Sequence, residues 1–315
     1  MTGNTDQSSM MTPRFRDVAT FMRVPYVEDF SSIDIALVGV PFDGAVTNRP
    51  GARHGPRQVR DMSSMMRTTH HVTKVNPYEL CKIGDVGDVP LTNIYDLPEV
   101  NRQIASFYKE LVKNNLIPLS IGGDHSITYP IFQAVAQDGP IGMVHIDAHT
   151  DTWDQWMGSK LNHGAPFRRA VEDGLLDPKR TIQVGIRGAQ NSDEGWKFSQ
   201  DSGMRVIFIE EFRELGVNGV LNEIESVIGD EKSYLSFDID SIDPVYAPGT
   251  GTPEIGGLTP FEGQQIIRGL RHKNLVGADV VEVSPPFDQS GNTALVAATI
   301  VYEILCVLSE NINST

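Results

Sequence analysis

The chain is short of cysteine and of positive charge. Two thiols, Cys81 and Cys306, in 315 residues cannot build a disulfide framework, and both lie in apolar surroundings, where a buried free thiol is the ordinary state. A reducing, cytoplasmic setting is expected. Lys and Arg number 26 against 41 Asp and Glu, a formal net charge of −15, which repels phosphate backbones and anionic lipid rather than recruiting them. Nucleic acid and membrane are therefore not expected partners. No run of about 18 consecutive apolar residues occurs, and the opening MTGNTDQSSMMTPRFRD lacks the apolar core of a secretory signal. Walker A and G-x-S-x-G sequences are missing too. The stretch from Gly249 to Gly257 is glycine-rich, but Pro253 interrupts it and no helix opens from it, so it reads as a rigid loop beside a site.

What is present is alternation of strand and helix. Short, β-branched apolar runs at 34–40, 117–121, 141–146, 181–186, 204–209, 233–239 and 275–283 read as strands buried on both faces. Between them, Ile104, Phe107, Tyr108 and Leu111 recur at helical spacing, as do Val220, Leu221, Ile224 and Val227, and 292–309 reads as a long C-terminal helix. This order predicts one parallel α/β sheet covered by helices on both faces. The polar residues 1–12 are expected to be a flexible segment and 13–315 a single domain. Long loops at 41–60, 150–163 and 241–259 follow strands, where open α/β sheets bind ligands.

The carboxylates cluster at those loops. Asp124-His125 follows one strand, Asp147, His149 and Asp151 stand two apart after another, and Asp238 and Asp240 follow a third. An extended strand end points alternate residues to one side. Desolvating carboxylates that share a face costs several kcal/mol per ion, on the order of a core mutation or more, unless a counter-charge is present. His125, Asp147, His149, Asp151, Asp238 and Asp240 offer four negative charges and two imidazoles, which balance two divalent cations. Oxygen-rich ligation without Cys favours Mn²⁺ over structural zinc. His145 is read as facing away from Asp147, a packed or supporting histidine. Asp124 and Asp243 are candidates to orient ligands, and His70-His71 reads as a surface or subunit-contact pair.

The blocks IGGDHS (121–126), HIDAHTD (145–151) and SFDIDSIDPVYAPGTGTPEIGG (236–257), with PFDG (41–44), NRPGARHGP (48–56), His163-Gly164 and EVSP (282–285), resemble the ureohydrolase family of arginases and agmatinases. The details are most similar to bacterial guanidino-acid hydrolases such as 3-guanidinopropionase. The resemblance implies an arginase-like, three-layer α/β/α domain with about eight mainly parallel strands, assembled as a trimer or hexamer. It implies that the six residues above hold two Mn²⁺, with Ni²⁺ or Co²⁺ as alternatives, and that a guanidinium is hydrolysed to urea and an amine. By the same resemblance Asp151 handles the proton of the nucleophilic water, His163 shuttles protons, and Glu282 pairs with the guanidinium. Read without it, His163 equally caps the helix near Pro166, and Glu282 equally belongs to a structural ion pair.

A short guanidino acid such as 3-guanidinopropanoate is the expected substrate, with agmatine, then free or alkylated guanidine, as alternatives. A metal-binding relative without catalysis is the remaining one. Arg49, Arg53 and Arg187 are candidate partners for an acid tail. The chain departs from many relatives by carrying Trp153 where they have Asn. That indole, with Trp156, either walls the substrate-tail pocket or packs at a subunit contact.

Overall fold

In a computed structural model that describes residues 13–314, the apolar runs become β1 (Ile35–Val40), β3 (Ile117–Gly122), β4 (Ile141–Ile146), β5 (Leu176–Ile186), β6 (Arg205–Phe208), β7 (Ser233–Asp238) and β8 (Leu275–Val281). The expected flexible segment 1–12 lies outside the described residues. One further strand, β2 (Ile83–Asp88), has the sequence IGDVGD. Two glycines and two aspartates hide it from a hydropathy reading, and an edge position tolerates them. The eight strands form one sheet in the order β2-β1-β3-β8-β7-β4-β5-β6, every pair parallel.

Alternate residues of each strand feed two separate cores. Leu119, Ile121, Val144, Ile146, Leu235 and Phe237 face one, which α1 (Gly55–Ser63), α7 (Ile209–Ile228), α8 (Pro260–Gly269) and α9 (Asn292–Ser314) cover. Val38, Val40, Met143 and Tyr234 face the other, beneath α3 (Leu97–Lys113), α4 (Thr128–Val135) and α5 (Pro166–Glu172). The remaining helices are α2 (Pro77–Leu80) and α6 (Glu194–Ser202). The expected helix at 217–228 is the second half of α7, which bends where Gly216 takes φ 61°. The 41–60 loop is shorter than expected, because α1 already begins at Gly55. Helix α9 has a mean hydropathy of 1.7 over Asn292–Ile312, and 78% of that stretch is buried; its apolarity is that of a core helix.

The last strand, β8, lies in the middle of the sheet, between β3 and β7. The carboxyl ends of the neighbouring strands β3, β8, β7 and β4 therefore open onto one place. His125, Glu282, Asp238 and Asp147 stand there in that order.

Candidate metal centre and active site

The turn after β3 depends on Gly123. A Cβ at this position would lie 1.8 Å from the Phe42 carbonyl oxygen, because the N–H groups of Gly123 and Asp124 bond the carbonyls of Val40 and Phe42. The Asp124 carboxylate then accepts the Ala45 and Ser126 N–H groups, and the chain delivers His125 over the sheet end. Its Nδ1 lies 2.9 Å from Asp151 Oδ2 and 3.2 Å from both Asp147 Oδ2 and Asp238 Oδ2. A second cluster joins His149 Nδ1 to Asp240 Oδ2 at 3.1 Å and Asp147 Oδ1 at 3.5 Å. Asp147 gives one oxygen to each.

All six sequence-derived ligand candidates thus converge, although not by strand alternation alone. β4 ends at Ile146, and Asp151 reaches the cluster from a left-handed backbone at φ 51°. Asp240 sits in a single 3-10 turn, its own N–H donated to the Asp238 carboxylate at 2.7 Å. His145 corrects the sequence reading: two residues apart on a strand, it shares a face with Asp147. Its Nε2 lies 2.7 Å from Asp147 Oδ2. The Gln183 amide meets His145 Nδ1 at 3.0 Å, so Nδ1 is the acceptor and Nε2–H donates to Asp147. His145 orients Asp147 rather than offering a free lone pair. His70 is another correction, buried against Glu303 at 2.9 Å rather than at the surface.

The electrostatics ask for positive charge. Burial, with the carboxylates of Asp240 and Asp147, pushes the Asp238 carboxyl well above its ordinary range, and burial raises Asp240 as well. Burial opposes charge on His125, but Asp147, Asp151 and Asp238 outweigh it and hold the ring well above its usual value. For His149 burial is outweighed by Asp240 and Asp147. Asp147 moves down: burial is overcome by His145 and His125. Among the described residues, protons on the imidazoles and the nearby Arg187 guanidinium, which also acts on Asp240 and Asp147, are the counter-charge. His125 Nδ1 is buried and in hydrogen-bond geometry with none of its three carboxylates, as a lone pair aimed at a shared cation is. Two imidazoles, four carboxylates and no thiolate fit a pair of fairly hard divalent ions.

Above the clusters opens a pocket of about 250 Å³ whose wall includes Thr47, Trp153, Trp156, His163, Gln190 and Asn191. Both tryptophans therefore face the pocket. Among the described residues that line it, none is Lys or Arg. The three arginines considered for an acid tail are committed elsewhere. Arg187 spends its guanidinium on the carbonyls of Gly185, Asp240, Ser241 and Glu254, Arg53 pairs with Asp43, and Arg49 lies over the Phe287 ring at 4.0 Å. What the wall offers instead are neutral groups. Trp156 Nε1 and Gln190 Oε1 are buried there without a partner.

His163 is not a helix cap. Its Nδ1 lies 2.9 Å from Glu282 Oε1, and its Nε2 receives the Thr47 N–H at 3.1 Å. Glu282 Oε1 also accepts the His125 N–H at 2.9 Å, while Oε2 is buried without a partner. Glu282 itself does not line the pocket, and it sits at φ 65°, a left-handed backbone that costs a non-glycine residue about 1 kcal/mol or more. Sequence reasoning missed Thr47, Gln190 and Asn191. Thr47 borders the NRPGARHGP block and could have been suspected; the other two carry no local signal. Thr252, from the 249–257 loop, bonds Asp240 at 3.2 Å, in keeping with a rigid loop beside the site.

Residues 33–307 match the model of the Arginase family. The chain is similar to a guanidinopropionase of Pseudomonas aeruginosa, with 54% identity over 95% of this chain and 94% of that one. It is similar to a mitochondrial agmatinase of Gallus gallus, with 47% identity over 97% and 90%. Among solved structures, proclavaminate amidino hydrolase from Streptomyces clavuligerus superposes with a TM-score of 0.90 at 37% identity, over 95% of this chain and 100% of that one.

Proposed function

The chain belongs to the arginase family, and from that premise we propose that it is an amidinohydrolase cleaving a short guanidino acid, 3-guanidinopropanoate foremost, to urea and an amine. The observation that carries this is the pair of acidic clusters sharing Asp147 at the floor of a small pocket. His125, Asp147, Asp151 and Asp238 would hold one Mn²⁺, and His149, Asp240 and the second oxygen of Asp147 the other. Two divalent ions held there would supply counter-charge and would lower the pKa of water toward neutrality, the nucleophile that a resonance-stabilised guanidinium carbon requires.

The chain's own groups do the rest. Asp151 lies on the pocket wall, placed to take the proton of the attacking water. His163, on the same wall, can pass a proton to the departing amine. Glu282 steadies His163 through Oε1, and its unpartnered Oε2, buried just outside the pocket lining, is the acceptor we assign to a guanidinium N–H. Trp153 and Trp156 shorten the tail pocket, and the Trp156 indole N–H is a donor for a carboxylate. Agmatine is disfavoured by the same wall: among the described residues that line it, the carboxylates are Asp151, Asp238 and Asp240, all committed to the clusters, and none of these is left for a second cation.

Self-association into a trimer or hexamer is supported by apolar side chains left at the surface. Pro260 and Leu295 line a common groove, the Asn292 side chain bonds the Tyr246 carbonyl beside it, and Phe261 is 60% exposed. Both cysteines are buried free thiols, which suits a reducing, cytoplasmic setting. Urea release from a panel of guanidino acids, agmatine, arginine and guanidine by Mn²⁺-loaded protein tests the proposal. Preference for 3-guanidinopropanoate is expected; urea from none of the panel overturns the activity.

A further inference from the structure

Beneath the metal centre runs a row of polar residues that the chemistry above does not use. The strand register sets Ser120 of β3 against Asp279 of β8, Asp279 against Ser236 of β7, Ser236 against His145 of β4, and His145 against Gln183 of β5. Five neighbouring strands thus place one polar residue each on a single line across the sheet. All five are fully buried, in the layer where strands are otherwise apolar. Ser236 and His145 stand two residues before Asp238 and Asp147, so the row lies about 7 Å below the carboxylates, on the same face of the sheet.

Two hydrogen-bonded paths lead from the row to the side chains of the clusters. One is His145 to Asp147, described above. The other begins at Asp279, whose Oδ1 accepts the Ser236 hydroxyl at 2.7 Å. Ser236 Oγ in turn lies 2.8 Å from His125 Nε2. Because the serine spends its proton on Asp279, its oxygen must accept from His125. In the neutral, metal-binding form of the ring that fixes Nε2 as the protonated nitrogen and leaves Nδ1, the atom among three carboxylates, with its lone pair. Asp279 is held for this task by two further hydroxyls, Thr128 at 2.8 Å and Tyr234 at 3.0 Å. Burial raises the pKa of this carboxyl, and the His125 ring and the three hydroxyl donors work against that rise. No Lys or Arg is seen to pair with it among the described residues.

We infer that Asp279, acting through Ser236, is a positioning residue for the ion held by His125: it sets the ring's tautomer, locks its orientation and adds basicity at Nδ1. This rests on the metal reading of the two clusters. Removing a partner behind a metal-bound histidine weakens affinity by about 10- to 100-fold, and residues acting in one chain of hydrogen bonds are not additive.

The test is Mn²⁺ titration of chelator-stripped protein, read as two dissociation constants. Ser236→Ala should weaken one of the two sites by about 10-fold or more and leave the other within about threefold. Asp279→Asn, nearly the same shape without the charge, should weaken that same site, and the double variant should be no weaker than the worse single. Ser236→Thr, which keeps the hydroxyl, should restore affinity. Thr181→Val, a comparable loss of one buried hydroxyl that is bonded to the Asp177 carbonyl and not to the row, should move neither constant. Unchanged constants in Ser236→Ala and Asp279→Asn, or effects that multiply in the double variant, overturn the inference while the metal reading stands. Wild-type protein that binds no Mn²⁺ overturns both.

Discussion

Thr47 donates its backbone N–H to Nε2 of His163 over 3.1 Å. A neutral His163 must therefore carry its proton on Nδ1, pointed at Glu282. Protonation makes Nε2 a donor too, and the Thr47 hydroxyl, 2.9 Å away, is there to accept.

That arrangement makes His163 a source of pH-dependent stability. Burial works against the charged ring, but Glu282 and, behind it, Asp124 and Asp151 outweigh burial and raise the pKa to about 9. A raised folded-state pKa means the folded chain holds this proton more tightly than the unfolded one. Its contribution, on the order of a few kcal/mol, is complete below about pH 6.5 and is lost as pH climbs through about 9. Metal-free wild type should lose melting temperature across that window more steeply than His163→Asn; equal slopes would remove His163 from the account. In loaded enzyme the same variant should lower turnover by about 100-fold or more with metal content unchanged.

Sharing of Asp147 predicts an asymmetry between two substitutions. Asp147→Ala takes an oxygen from both clusters and should drop bound manganese from about two ions per chain to below about one. Asp240→Ala touches only the His149 cluster and should leave about one ion in place. Elemental analysis after gel filtration distinguishes them, and equal losses would mean that Asp147 does not bridge.

Metal loading should also release protons, because His125 and His149 are held well above their ordinary pKa by the carboxylates that a cation would take over. Affinity should fall as pH falls, and calorimetry in buffers of different ionisation enthalpy should register net release. Stripping the metal should destabilise the fold by about 2.7 kcal/mol for each ion lost, relative to protein held at a hundredfold excess over Kd. No buffer dependence would mean that the imidazoles are neutral before loading.

At the pocket wall, Trp156→Phe keeps the bulk and deletes the unpartnered indole N–H. A lost hydrogen bond to a charged tail is worth about 1.5 to 3 kcal/mol, so KM for 3-guanidinopropanoate should rise about tenfold or more while free guanidine is processed as before. Trp153→Asn should lengthen the pocket and favour longer guanidino acids. An unchanged substrate profile would reduce Trp153 to packing.

The metal centre was legible in the sequence because its residues come in short blocks at strand ends, where an Asp or His in an apolar context is conspicuous. The polar row beneath it was not. Ser120, Ser236, Asp279 and Gln183 are single polar letters inside apolar runs, and only lateral register between strands as much as about 160 residues apart in sequence brings them together. His145 was legible as a supporting residue but placed on the wrong side, although the alternation of two fixes its face. β2 was missed for a local reason, since IGDVGD reads as a turn. Trp153, Trp156 and His163 were legible in the pocket wall, but Gln190 and Asn191 stayed hidden because they come from an irregular loop after β5 whose path no periodicity encodes.

The central position of β8 has a consequence for how the chain is made. A polypeptide leaves the ribosome from its N-terminus, and until residue 275 has emerged the sheet exists only as two separate pieces, β2-β1-β3 and β7-β4-β5-β6. Each presents a long unpaired edge, β3 on one and β7 on the other, which is a template for wrong pairing. The final strand closes both edges at once and brings Glu282 beside His125 in the same event. Nascent chains and chains truncated before β8 therefore lack Glu282 and carry two sticky seams, and completion of the site coincides with closure of those two edges.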